Sequence, residues 1–137
     1  MKTFKLKALE IVEQKEEEII PKKIPLKDGL IINQEDEQNH WVIEAYLTRD
    51  YLTDFKKLQA EKNEVLLQVK ITKESNDYAT FITSLIGLNE IGENHINVLF
   101  RGTIVDRRKN KIEEMLTTLI DEGYQGKELL QKFKELM

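Results

Sequence analysis

Two hydrophobic rhythms run along the chain, and the change from one to the other divides it. From Thr3 to Val12, Phe4, Leu6 and Ala8 alternate with Lys5 and Lys7, the period of a half-buried strand with one wet face. Leu9 and Ile11 then fall one position out of phase. A β-bulge near Ala8 or Leu9 accounts for that slip, and bulges recur where sheets bend into barrels. After the acidic run Glu16 to Glu18 comes "IIPKKIPLKDGLIIN", whose two prolines suit an edge or irregular segment, followed by a turn at Asp28 and Gly29. "HWVIEAYL" restores the alternation, with Trp41, Ile43, Ala45 and Leu47 on one face.

The next segment changes period. In "DYLTDFKKLQAEKN", Tyr51, Leu52, Phe55 and Leu58 have helical spacing, with Asp50 as the expected N-cap, which predicts a short helix covering an opening of the sheet. Three strands follow: Val65 to Thr72, Tyr78 to Leu88 and Ile96 to Val105, joined by the turn-forming "KESND" and "NEIGEN". Such short connections require antiparallel pairing, because a parallel crossover needs about a dozen residues or more. A meander closing into a barrel leaves the fewest free edges.

The C-terminal stretch is helical throughout. Ile112, Met115, Leu116, Leu119 and Ile120 form one stripe ending at Gly123, a predicted C-terminal cap. After "GYQG", Leu129, Leu130, Phe133, Leu136 and Met137 form a second, with Tyr124 placed to staple onto Leu129. The expected product is an antiparallel helical hairpin with Met115, Leu119, Leu129 and Phe133 at its interface. Its outer apolar positions need the barrel or a second subunit to cover them. The predicted fold is therefore mainly β: an antiparallel β-barrel core over residues 1–106 with a short covering helix, and a C-terminal two-helix pair over residues 107–137 packed on the core or on a partner.

Composition narrows the function more than the fold. At 137 residues, 40% hydrophobic and 34% charged, the chain suits one folded domain. It has no cysteine, which excludes disulfides, thiolate metal sites and cysteine nucleophiles. The N-terminus lacks the apolar core of a signal peptide, and no run approaches the roughly 20 apolar residues of a membrane span, so a cytoplasmic location without membrane contact is expected. A net charge of −4 argues against general nucleic-acid binding.

Candidate chemistry is sparse. "GLNEIG" has glycines spaced like a phosphate loop, but Glu93 and Asn94 stand where Lys and Ser or Thr belong, so it reads as a hairpin turn. Neither Ser75 nor Ser84 sits in a G-x-S-x-G setting. His40 and His95 each follow an Asn and open an apolar strand, which would bring both to one barrel rim, with Asp36, Glu37 or Glu93 as further metal ligands. The aromatic residues read as core, led by Phe4, Trp41, Phe81 and Phe100, while Tyr51 and Tyr124 are the candidates for exposure or, equally, for an interface. Arg107, Arg108, Lys109 and Lys111 form a candidate docking surface for a partner or, joined by Lys22, Lys23 and Lys27, weakly for nucleic acid. With Asn110 as N-cap and Glu113 at the third helical position, the "DRRK" segment becomes a solvated strand-to-helix linker.

"MKTFKLKALEIVE", "VKITKESNDYATF" and "VLFRGTIVDRR", followed by paired helices, resemble the YwpF-like family of small Gram-positive bacterial proteins. The resemblance spans the chain and implies a β-barrel core plus a two-helix pair, with the barrel similar to the tube-forming Hcp proteins of type VI secretion. It implies no cofactor and no catalytic residues. The leading expectation is a non-enzymatic interaction or scaffold protein, binding a protein partner or itself. The alternatives are a ligand-binding or enzymatic barrel with its site near His40 and His95, and weak nucleic-acid binding through the 107–111 cluster.

Overall fold

A computed structural model describes residues 1–15, 18–62, 64–105 and 109–136. One long strand organises it. β1 (Lys2–Lys15) pairs over Lys2 to Lys5 with β3 (Asp28–Asn33) and over Leu9 to Lys15 with β2 (Glu18–Ile24). Its opposite edge pairs with β5 (Val65–Ile71), with a register shift between Leu6 and Ala8. That bulge is the predicted phase slip: it returns Leu9 and Ile11 to the side on which Leu6 is buried.

From β3 the sheet continues through β4 (His40–Thr48), β7 (His95–Val105) and β6 (Ala79–Ile91) to β5 and back to β1, a closed six-stranded antiparallel barrel. β2 stands outside the ring as an edge, where Pro21 and its missing N–H are tolerated. Asp28 and Gly29 open β3 and do not form the expected turn. The glycine serves a close approach instead, since a Cβ there would lie 2.8 Å from Leu6 Cδ2.

Side chains fill the barrel interior. At one end the Phe4 and Trp41 rings stack at 6.3 Å, and Phe81 meets Trp41 edge-on at 5.5 Å. The other end is covered by α1 (Leu52–Glu61), which buries Leu52 and sets Phe55 edge-on to Phe100 at 6.1 Å. Asp50 is not its N-cap: it lies in a 3₁₀ turn, Arg49–Tyr51, and accepts a hydrogen bond from the Thr48 hydroxyl at 3.5 Å.

α2 (Lys109–Asp121) and α3 (Gly126–Leu136) form the helical pair. Gly123 has a φ of 99°, its N–H donates to the Ile120 carbonyl and Tyr124 N–H donates to the Leu119 carbonyl, the Schellman ending expected of that glycine. The pair docks in cis. Leu116, Leu119, Ile120, Leu129 and Phe133 are buried with Leu66, Ile82 and Val105 of the outer barrel wall, and Met115 and Tyr124 pack against them. Asn110 lies inside α2 and so is not its cap, because the helix is already formed at Lys109. Asp106, Arg107, Arg108, Met137 and the acidic pair Glu16 and Glu17 lie outside the described residues. Of the basic cluster, Lys109 and Lys111 fall in the first turn of α2.

Candidate functional site: a cleft at the barrel seam

The β1–β5 ladder ends at Ile11 and Leu67, yet β1 runs on to Lys15 and β5 begins two residues earlier, at Val65. Beyond that point the strands part, and the β1–β2 hairpin projects past the ring. Its inner face loses apolar character as it leaves the core. Leu9, Ile11 and Ile24 are buried, whereas Glu13 and Lys22 are only half-buried and Ile20 is 38% exposed. Alternation places all six on one face of the hairpin.

The result is a cleft of two chambers. The outer one, about 750 Å³, lies between Ile11, Glu13, Lys22 and Ile24 of the hairpin and Tyr51, Asp54, Phe55, Lys57, Leu58 and Glu61 of α1 and the turn before it, and is closed by Gln125 and Gly126. An inner channel of about 180 Å³ follows the parted strands, with Ile11, Val12, Glu13 and Glu64, Val65, Leu66 as walls and Leu116, Leu129 and Leu130 as roof. Ile11, Glu13, Leu58, Glu61 and Gly126 line both chambers. An apolar recess reached through a polar mouth of this size accepts ligands by side-chain burial and orients them by charge.

The rim charges are partly committed. Lys22 lies 3.6 Å from Asp54, and Lys134 reaches Glu64 at 2.9 Å. Glu13, Glu61, Lys57 and Lys127 have no ion-pair partner among the described residues, and the two glutamates stand where the chambers meet.

The histidines do not share a rim. β4 and β7 are antiparallel neighbours, with His40 opposite Thr103 and His95 opposite Thr48. The residues that open two such strands therefore lie at opposite ends of the barrel, about 25 Å apart at strand rise. His95 stacks on Tyr46 at 4.8 Å. The His40 Nδ1–H donates to Asp36 Oδ2 at 2.8 Å, and Arg101 reaches Gln34 at 2.9 Å and Asp36 at 3.4 Å. The His40 backbone N–H, then its side chain, hold the Asp36 carboxyl below the usual carboxylate range. This network fastens the loop between β3 and β4. No group of three or more His, Cys, Asp or Glu among the described residues is arranged to hold a metal.

A second polar row crosses the outer wall beside the helical pair. Glu10, Gln68 and Thr80 are register neighbours on β1, β5 and β6, and the Tyr78 hydroxyl donates to Glu10 Oε1 at 2.7 Å. Burial, then that hydrogen bond, push the Tyr78 pKa up to about 12.

The sequence contained two signals for the cleft: the run Val65, Leu66, Leu67 puts apolar side chains on both faces of one strand, and Glu13 occupies an inward phase after Leu9 and Ile11. Tyr51, expected at the surface or an interface, is half-buried in the cleft wall, and Tyr124 packs against the cluster beneath the helices. Met115, Leu119, Leu129 and Phe133 share one cluster, and Leu129 also roofs the channel.

A family model described as YwpF-like protein matches residues 2–136. The chain is 40% identical over 135 residues to the "Uncharacterized protein YwpF" of Bacillus subtilis (strain 168), covering 98% of each. The crystal structure of a hypothetical protein from Staphylococcus aureus superposes with a TM-score of 0.71 at 30% identity, covering 100% of this chain and 93% of that one.

Proposed function

Since the chain belongs to the YwpF-like family, its role is to be read from what this shared architecture leaves open, and we propose a non-enzymatic interaction protein that holds a partner in the seam cleft. One observation carries the reading. The helical stripes are consumed in cis against Leu66, Ile82 and Val105, so the open recess beside them, and not the stripes, is the feature left for a partner. The barrel serves as a rigid frame, and the hairpin, α1 and the α2–α3 link form three independent walls around the occupant.

The rim reading built on His40 and His95 lost its basis with their separation at opposite ends of β4 and β7. A photo-crosslinking residue at Lys57, on the cleft wall, tests the cleft reading against one at Ile86, 54% exposed on β6 and outside the cleft. The expected result is a discrete adduct from position 57 that disappears when Leu130→Trp fills the channel. Equal adducts from both positions, or none from 57, overturn the proposal.

A further inference from the structure

Resting on the cleft reading, we infer that the occupant is an extended polypeptide segment that adds as a short strand along the free edge of β1 and carries an aliphatic side chain next to a basic one. The backbone makes the first argument. Among the described residues, past Ile11, β1 from Val12 to Lys15 has β2 on one edge and no strand on the other, and Val65 and Leu66 of β5 likewise have no strand partner on the side of β1. Unpaired strand edges present N–H and C=O groups that an incoming extended chain satisfies. An acyl chain offers nothing to such an edge.

Shape and charge make the second. The channel runs along this edge and has an aliphatic roof, so it suits one branched side chain, with the rest of the segment in the larger chamber. Glu13 and Glu61, without ion-pair partners among the described residues, flank the passage between the chambers, so a Lys or Arg beside the aliphatic anchor meets both carboxylates. Lys57 lies in the outer chamber alone and Lys127 in the channel alone, which leaves the passage itself acidic. An anionic amphiphile would bring like charge to that point.

The test is selection of random heptapeptides on the full chain, followed by amide hydrogen exchange with the recovered peptide bound. The inference expects an aliphatic residue next to Lys or Arg, slowed exchange within Val12 to Lys15, and about tenfold weaker binding in Glu61→Lys, a surface change that leaves the fold intact. Recovered peptides that bind without slowing those amides, and equally well to Glu61→Lys, overturn the inference; loss of their binding in Leu130→Trp would still uphold the cleft. Peptides indifferent to Leu130→Trp overturn both. Failure to recover any peptide, or saturable binding of decanoate at the channel in its place, also overturns the polypeptide assignment.

Discussion

The molecule has two dry regions built by opposite means. The barrel interior gathers Leu9, Ile43, Leu67, Phe81 and Phe100 from strands far apart in sequence, and each strand is fixed by ladders on both sides. The outer core beneath α2 and α3 draws on one local hairpin laid over Leu66, Ile82 and Val105, with no backbone ladder across it. The first is held by hydrogen-bond ladders and burial together, the second by burial and side-chain contacts such as the exposed Lys134–Glu64 pair. Strand β5 belongs to both: Val65, Leu67 and Val69 face the interior, while Leu66 faces the helices. The interior should therefore fail only with the whole fold, and the outer core should be able to fail first.

Phe100→Ala should test the first half most severely, costing about 3–5 kcal/mol and lowering a single cooperative melt seen alike by Trp41 fluorescence and helical circular dichroism. Phe133→Ala removes an equally buried ring from the outer core, at about 3 kcal/mol. Here helical signal should be lost at lower temperature than the fluorescence of Trp41, the one tryptophan, which sits in the barrel end. Coincident transitions would erase the distinction.

Tyr78→Phe probes the polar row between the two regions and should cost about 1.5 kcal/mol, the low end for a hydrogen bond to a carboxylate. Its pKa is raised in the folded state, so its contribution is present below pH 10, the ordinary tyrosine value, and is lost as pH rises toward about 12. Urea midpoints across that range should fall for the parent and flatten for the variant. Gly123→Ala, at a φ of 99°, should cost about 1 kcal/mol and loosen only the helical pair. Smallest is Asp36→Asn at the far end of the barrel. The lowered Asp36 pKa contributes stability above the ordinary carboxylate value that disappears as pH falls through the folded one, so the two proteins should converge in acid titrations of thermal stability.

Much of this architecture is written in side-chain rhythm. The phase slip after Ala8 announced the bulge, the period change at Tyr51 announced the covering helix, and Gly123 marked a helix end, because each is settled by residues close in sequence. What escaped depends on distant partners. The matching Asn-His pairs at positions 39–40 and 94–95 look equivalent as text, yet antiparallel pairing sends the histidines to opposite ends. Leu66 was plainly apolar, but only the path of α2 and α3 says what covers it. The seam leaves only a faint local trace, Glu13 in an inward phase, since it arises where the β1–β5 register stops and not from any motif.

That register also orders events in time. β1 is complete only when Leu6 meets Ile71 and Ile11 meets Leu67, so β1 must wait for β5 before the ring can close. Closing so long a loop is entropically expensive, and non-local pairings of this kind set slow folding rates. The helical hairpin follows every strand in the chain, and its docking ground on β5, β6 and β7 matures with the same closure. A nascent chain therefore holds β1 unsatisfied on one edge until β5 has emerged, the interval in which a chaperone, or a second nascent copy, would find that edge open.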